Sequence, residues 1–182
     1  RRRQRQMCIR DRGKMLAKLL SDDIDLRLRL PAADVVVDAD AAQVDQILLN
    51  LCLNARDAMQ AGGTLEVSVL EREVAEGEGG VPAHLPTGAY VVLSVRDEGC
   101  GVDSYTMNRM FEPFFTTKGD SQGTGIGMST VQEVVAALHG GIAVESAVNE
   151  GTTIRVFLPC SKARRPVRQS RNRSQGIARG SG

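Results

Sequence analysis

The sequence lacks tryptophan and has only two tyrosines and four phenylalanines. Because hydrophobic residues still make up 42% of it, a core is expected, and that core must be aliphatic. Apolar runs of about 18 residues, which a membrane-spanning helix needs, are also missing. The cysteines at 8, 52, 100 and 160 form no Cys-x-x-Cys pair, which disfavours a zinc site or a disulfide framework. Reduced thiols and a cytoplasmic location are therefore expected.

Basic residues are scarce in the middle of the chain. Residues 1–12 and 161–182 hold 13 of the 23 basic residues but only one of the 22 acidic ones. The acidic middle would repel a phosphate backbone, and no aromatic residue accompanies the terminal arginines, so no nucleic-acid partner is expected. We expect residues 1–13 to be a non-native or disordered extension, residues 14–160 to form one domain, and residues 161–182 to be a disordered tail.

Hydrophobic periodicity predicts both strands and helices. Alternation predicts strands in "IDLRLRL", "DVVVDA", "TLEVSVLE" and "AYVVLSVRDEG", and a final hairpin in "GIAVESAV" and "TTIRVFLP". A long helix capped by Asp40 should end at Gly62-Gly63, and another should follow Gly125. Residues 74–88 should form an acidic loop. These elements predict an α/β two-layer sandwich, in which a mixed sheet packs on a layer of helices.

The stretch "GTGIG" at residues 123–127 leaves bare backbone N–H groups where a helix begins. Helix N-termini attract anions, so a polyphosphate is the natural ligand. The spacing fits neither G-x-x-x-x-G-K-[ST] nor G-x-G-x-x-G, so the common nucleotide folds are poorly supported. A glycine-rich turn with a purely structural role remains the alternative.

Asp97 ends a predicted strand and is followed by Gly99 and Gly101. A carboxylate only accepts hydrogen bonds, which suits an exocyclic amine such as that of adenine, and the glycines would let a flat ring approach. An ordinary turn after a strand is the alternative.

Asn50, Asn54 and Asp57 share one face of the first long helix, beside an apolar stripe. Asparagine is a poor helix former, so two asparagines one turn apart require a reason. Amide oxygens suit Mg²⁺ that bridges phosphates. A polar helix face in solvent is the alternative.

The segment "FEPFFTTK" holds three of the four phenylalanines within five residues. They are expected to pin a lid, with residues 115–125 as a mobile loop, or to form a small hydrophobic cluster. Thr116, Thr117 and Lys118 would offer two hydroxyls and a positive charge to phosphate.

The order of these motifs, together with the terminal "EGTTIRVFLP", resembles the ATP-binding domain of the gyrase, histidine kinase and MutL superfamily. The resemblance covers about residues 14–160. "NLCLNARDAM" and the Phe segment are similar to sensor histidine kinases, especially nitrogen-regulation-like or hybrid sensors. The resemblance implies a Bergerat-type ATP-binding fold with ATP and Mg²⁺ as cofactors.

The resemblance also implies residue roles. Asn54 would ligate Mg²⁺ with help from Asn50, and Lys118 would join them in catalysis. Either Thr152 or Thr153 would back the adenine pocket near Asp97, and Asp57 stands where many relatives carry lysine. The full set of expected nucleotide contacts is Asn54, Asp57, Asp97, Gly99, Gly101, Val102, Thr117, Lys118, Gly123, Thr124, Gly125, Ile126, Gly127, Thr152 and Thr153.

In such kinases the γ-phosphate goes to a histidine on a separate domain. His84 and His139, the two histidines here, lack the His-Glu or His-Asp context of an acceptor. We expect the catalytic half of a kinase, with a dimerisation and phosphoacceptor helical domain upstream and a response regulator receiver as partner. The full-length protein would be a homodimer, and a membrane anchor upstream is left open.

Three other functions are weighed against the kinase. An ATP-hydrolysing module is disfavoured because Asn50 stands where glutamate would activate water. A nucleotide-gated interaction module without transfer remains open. A serine kinase that restrains a transcription factor is disfavoured by the Phe segment.

Overall fold

The structure is a computed structural model that describes residues 9–32, 35–117 and 125–161, with side chains from residue 13 onward except that of residue 14. Within these ranges the elements in chain order are α1 (Ile9–Leu19), β1 (Ile24–Arg29), α2 (Ala41–Ala58), β2 (Gly63–Val74), β3 (Gly88–Asp97), α3 (Ser104–Arg109), α4 (Gly127–Ala137), β4 (Gly141–Ala147) and β5 (Gly151–Pro159). No helix in the described ranges is long and apolar enough to cross a membrane.

The five strands form one mixed sheet in the order β1-β2-β3-β5-β4. Strand β1 runs parallel to β2, whereas the β2–β3, β3–β5 and β5–β4 pairs are antiparallel. Helices α2 and α4 pack on each other and against the sheet, and α1 contacts α2. The predicted fold class, an α/β two-layer sandwich with a mixed sheet, is therefore confirmed.

The core between the two layers is aliphatic, as the sequence predicts. Helix α2 contributes Val44, Ile47, Leu48 and Leu51, which recur at helical spacing and are at most 3% exposed. Strand β2 contributes Leu65, Val67 and Val69 from alternate positions. Burial of one helical stripe against one strand face fixes how the helix layer sits on the sheet, and thus where the polar face of α2 points.

The loop between β2 and β3 is attached to the outer face of the sheet. Its Leu85 is 4% exposed and belongs to a second apolar cluster with Val74, Tyr90, Val92 and Phe157. The Tyr90 hydroxyl donates to the Pro86 carbonyl over 2.9 Å. The loop expected at residues 74–88 is therefore a largely exposed loop that Leu85 anchors to the sheet.

The ends of α2 follow from the sequence. Asp40 is the N-cap, and its N–H donates to the Gln43 Oε1 over 3.0 Å. The helix ends before Gly62 and Gly63, whose φ angles of 77° and 128° favour glycine.

Two boundaries differ from expectation. The "DVVVDA" segment is not a strand in its described residues, because Val37 forms only an isolated bridge with Cys160. Its alternation reflects the burial of Val35 and Val37 rather than a strand ladder. Helix α1 begins at Ile9 and so crosses the domain boundary predicted after residue 13. The rest of the two basic ends lies outside the described residues.

Candidate functional site

Asp97 is the last residue of β3 and is only 6% exposed. Its Oδ1 accepts hydrogen bonds from the N–H of Gly99 over 2.9 Å and of Thr152 over 3.3 Å. Within the described part of the chain, no donor contacts Oδ2. The two hydrogen bonds thus hold the carboxylate at the end of the sheet. Its Oδ2 can still accept a hydrogen bond from a ligand.

The ionisation of Asp97 should differ from that of a surface carboxyl. Burial raises its pKa above the ordinary 3.8, although the N–H groups of Gly99 and Thr152 oppose the rise. At exposed Asp103, the Thr106 N–H lowers the pKa. As the pH falls, Asp97 should therefore be protonated before Asp103. Carboxyl-carbon NMR titration measures both groups, and the reverse order would contradict this.

The sheet register distinguishes Thr152 from Thr153. Thr152 lies opposite Asp97, is 7% exposed and donates its N–H to that carboxylate. Thr153 lies opposite Arg96 and Glu145, on the other face of the sheet. Of the two threonines, the register therefore favours Thr152 as the one beside the Asp97 carboxylate, and a nucleotide contact of either stays a prediction.

The glycines after Asp97 make room for other parts of the protein. A Cβ on Gly99 would lie 2.7 Å from the Ala58 carbonyl oxygen and 2.8 Å from the Asp97 Oδ1. A Cβ on Gly101 would collide with the Ala147 carbonyl oxygen. Protein packing alone therefore requires glycine at both positions, and contact of these glycines with a base stays a prediction. They let the loop after β3 pass between the end of α2 and the β4–β5 turn.

Gly101 also has a φ of 65°, so alanine there should be strained as well as crowded. We expect Gly101→Ala to lower the free energy of unfolding by about 2 kcal/mol or more. Gly77→Ala is the matched control, because Gly77 has a φ of 74° but no atom within 4 Å of an added Cβ. Gly77→Ala should lower the free energy of unfolding by about 1 kcal/mol, from the backbone conformation alone. Denaturant unfolding measures both, and equal losses would contradict the packing explanation.

A cavity of about 230 Å³ lies between α2, α3 and the start of α4. It brings together seven residues that the sequence predicts as site residues: Asn50, Asn54, Asp57, Val102, Thr117, Gly125 and Gly127. A Cβ on Gly127 would lie 3.3 Å from the Asn50 Oδ1, so this glycine lets α4 begin close to the asparagine. The Asn50 amide therefore lies beside the N-terminus of α4, where anions are favoured, and Asn54 lines the same cavity.

Asp97 is not among the residues that line this cavity. Helix α2 lines the cavity and also contacts the loop that follows Asp97. Asn54 and Ala58 lie one turn apart on α2. The Ala58 carbonyl accepts the Cys100 N–H over 3.1 Å, so the end of α2 touches the loop that follows Asp97. Helix α2 therefore links the asparagine-lined cavity to the loop that follows Asp97.

Asp57 lies at the cavity wall and pairs with the adjacent Arg56 over 2.8 Å. The pair is partly exposed, at 38% and 29% for the two side chains, so it contributes little to stability. Among the described residues, no group of three His, Cys, Asp or Glu side chains could hold a metal ion. A metal at this cavity would depend on amide oxygens, on the Asp57 carboxylate that also lines it and on the ligand's own oxygens.

The phenylalanines of the "FEPFF" segment occupy three different environments. Phe111 packs against the main core. The Phe115 ring lies 4.6 Å from the Arg109 guanidinium carbon and stacks edge-on with Tyr105. Phe114 is 77% exposed, and its N–H donates to the Gly125 carbonyl over 3.0 Å. The segment is thus fixed at both ends, beside the cavity.

Only part of the predicted phosphate loop falls within the structure. Ile126 precedes α4 and is 46% exposed, and its carbonyl accepts the Thr130 N–H. Lys118, Gly123 and Thr124 lie outside the described residues, as does most of the predicted lid. Their proposed contacts with phosphate stay predictions.

One polar residue near Asp97, Ser146, belongs to no sequence motif. Ser146 is half-buried on β4 and hydrogen-bonds to both Val102 and Thr152. Only the register of the β4–β5 hairpin, which pairs Ser146 with Thr152, identifies it.

Comparison with known proteins agrees with this geometry. Residues 39–162 match the family described as "Histidine kinase-, DNA gyrase B-, and HSP90-like ATPase". The chain is 38% identical to Sensor kinase CckA of Brucella abortus over 149 residues, covering 82% of this chain and 16% of the relative. It is 33% identical to Sensor histidine kinase ZraS of Escherichia coli K12 over 153 residues, covering 81% of this chain and 29% of that relative. The chain thus spans less than a third of either relative.

Solved structures share the fold. The mycobacterial sensor histidine kinase MprB superposes with a TM-score of 0.67 at 22% identity, covering 88% of this chain and 98% of that one. Full-length ShkA in complex with AMPPNP superposes with a TM-score of 0.65 at 26% identity, covering 91% of this chain and 33% of that one.

Proposed function

The chain belongs to the family of histidine kinase-, DNA gyrase B- and HSP90-like ATPases, and from this premise we propose that it binds Mg-ATP and donates the γ-phosphate to a histidine on a dimerisation domain. The observation that carries the proposal is that α2 lines a cavity with two asparagines and, at its end, contacts the loop that follows the buried Asp97 carboxylate. A base and a polyphosphate need those two environments side by side.

At the base end, Asp97 accepts the exocyclic amine of adenine. The carboxylate cannot donate, and its Oδ1 is already held by two N–H groups, so Oδ2 is available to the amine. A buried carboxylate strengthens such a bond because little water competes for it. Thr152 stands beside it on β5.

At the phosphate end, Asn54 and Asn50 would supply amide oxygens to Mg²⁺, and the N-terminus of α4 would face the phosphates. Bound Mg²⁺ would neutralise phosphate charge and orient the γ-phosphate. Val102, Thr117, Gly125 and Gly127 complete the cavity wall toward the triphosphate. Lys118 would add a positive charge from the lid.

The proposal extends to partners. The relatives bear the names of sensor kinases, and this chain spans only 16% and 29% of their lengths. ShkA was solved with AMPPNP, an ATP analogue, which supports a nucleotide at the corresponding place here. We propose that the acceptor histidine lies on a helical dimerisation domain and that a response regulator receives the phosphate, as part of a homodimer.

Phosphotransfer to a separately expressed acceptor domain tests this function. The chain is incubated with γ-labelled ATP, Mg²⁺ and the dimerisation domain of a relative such as CckA. Acid-labile, alkali-stable label on that domain is expected, and none on the chain alone. ATP turnover without label on the acceptor would instead support the hydrolytic alternative.

A further inference from the structure

Ser146 stands one residue before the end of β4, directly opposite Thr152 in the hairpin register. It is half-buried and lies where the loop after β3, the β4–β5 turn and the wall of the proposed base pocket meet. The proposed function gives it no role.

The Ser146 Oγ makes three hydrogen bonds, each 2.9 Å long. It accepts from the Val102 N–H, it donates to the Gly151 carbonyl, and it contacts the Thr152 Oγ1. A serine hydroxyl has a single proton, and the carbonyl can only accept. The proton of Ser146 is therefore committed to Gly151, and the Thr152 hydroxyl must donate to Ser146.

This arrangement fixes the polarity of the pocket wall. With its hydroxyl proton directed at Ser146, Thr152 can present only lone pairs to a ligand. Its N–H is already given to the Asp97 Oδ1 over 3.3 Å. The wall formed by Asp97 and Thr152 therefore offers acceptors and no free donor.

We propose that Ser146 is a specificity-determining positioning residue, which holds Thr152 as an acceptor so that the pocket selects a 6-amino purine over a 6-oxo purine. The inference rests on the proposed nucleotide function and extends it. Without the Ser146 hydroxyl, Thr152 could rotate and donate to a 6-oxo group, and the discrimination would weaken.

The test compares ATP with ITP, which carries a 6-oxo group in place of the amine, by competition against a fluorescent nucleotide. We expect Ser146→Ala to reduce the ratio of the two dissociation constants about tenfold, the effect of one misdirected hydrogen bond. Ser146→Thr retains a hydroxyl and should restore the ratio. Circular dichroism melting confirms that each variant is folded.

Thr152→Val tests the route through Thr152, because it removes the hydroxyl that Ser146 would orient. In the Thr152→Val background, adding Ser146→Ala should leave the ATP-to-ITP ratio unchanged. This double-mutant cycle also covers the case in which Ser146→Ala alone is poorly folded, since Ser146→Thr and Thr152→Val can be compared directly with the wild type.

The possible failures are distinguishable. If Ser146→Ala weakens ATP and ITP equally, the residue is merely structural and the inference is overturned while the proposed function stands. If Ser146→Ala shifts the ratio equally with and without the Thr152 hydroxyl, the route through Thr152 is wrong. If the wild-type chain binds neither nucleotide, the proposed function itself fails.

Discussion

Replacing Asp97 by asparagine is expected to lower ATP affinity about a hundredfold while leaving the fold intact. The amide keeps an oxygen that can accept from Gly99 and Thr152, so the internal hydrogen bonds survive. It places an NH₂ group where the adenine amine must dock, so an acceptor is replaced by a donor. Loss of a charge-assisted hydrogen bond and the opposition of two donors together amount to about 3 kcal/mol.

Titration of the fluorescent ATP analogue measures the loss. Asp25→Asn is the matched control, because it makes the same chemical change at an exposed position of β1, where Asp25 pairs with neighbouring Arg27. That variant should bind like the wild type. Wild-type affinity in the Asp97→Asn variant would place the base elsewhere.

Replacing Asn54 by alanine is expected to reduce phosphotransfer at least a hundredfold and to remove the dependence of binding on Mg²⁺. Asn54 faces the cavity from the middle of α2, and alanine is the better helix former, so the helix itself should not suffer. The lost group is a hard oxygen ligand, and misplacing the metal removes charge stabilisation from the transferred phosphoryl group.

Asn108→Ala is the control for this change, since Asn108 is an exposed asparagine on α3 that does not line the cavity. Binding with Mg²⁺ and with EDTA should differ in the wild type and in the control, but not in Asn54→Ala. An Asn54→Ala variant with the same metal dependence as the wild type would show that the metal is held elsewhere.

Much of the fold could be predicted because the sequence is locally consistent. Apolar spacing identified α2, its Asp40 cap and its glycine stop, and alternation identified the strands that bury Leu65 or Ile154. The polar face of α2 could be predicted for the same reason, because helical geometry places Asn50 and Asn54 together without any knowledge of tertiary contacts.

What the sequence could not provide depends on register between distant segments. Thr152 and Thr153 look alike until pairing with Asp97 assigns each to a face of the sheet. The sequence cannot show that Gly101 must be glycine for packing, because that requirement comes from the distant Ala147 carbonyl. Ser146 belongs to no motif. Its three hydrogen bonds go to Val102, 44 residues earlier in the chain, and to Gly151 and Thr152 across the β4–β5 turn.

The central claim is that the purine amine sits on Asp97 while Mg²⁺ and the triphosphate lie at the Asn54 cavity. The most direct measurement is a crystal structure of the chain grown with AMPPNP and Mg²⁺. The claim predicts the 6-amino nitrogen about 3 Å from an Asp97 oxygen and a metal about 2.1 Å from the Asn54 Oδ1. A bound nucleotide whose base lies away from Asp97, or whose metal lies away from Asn54, would contradict it.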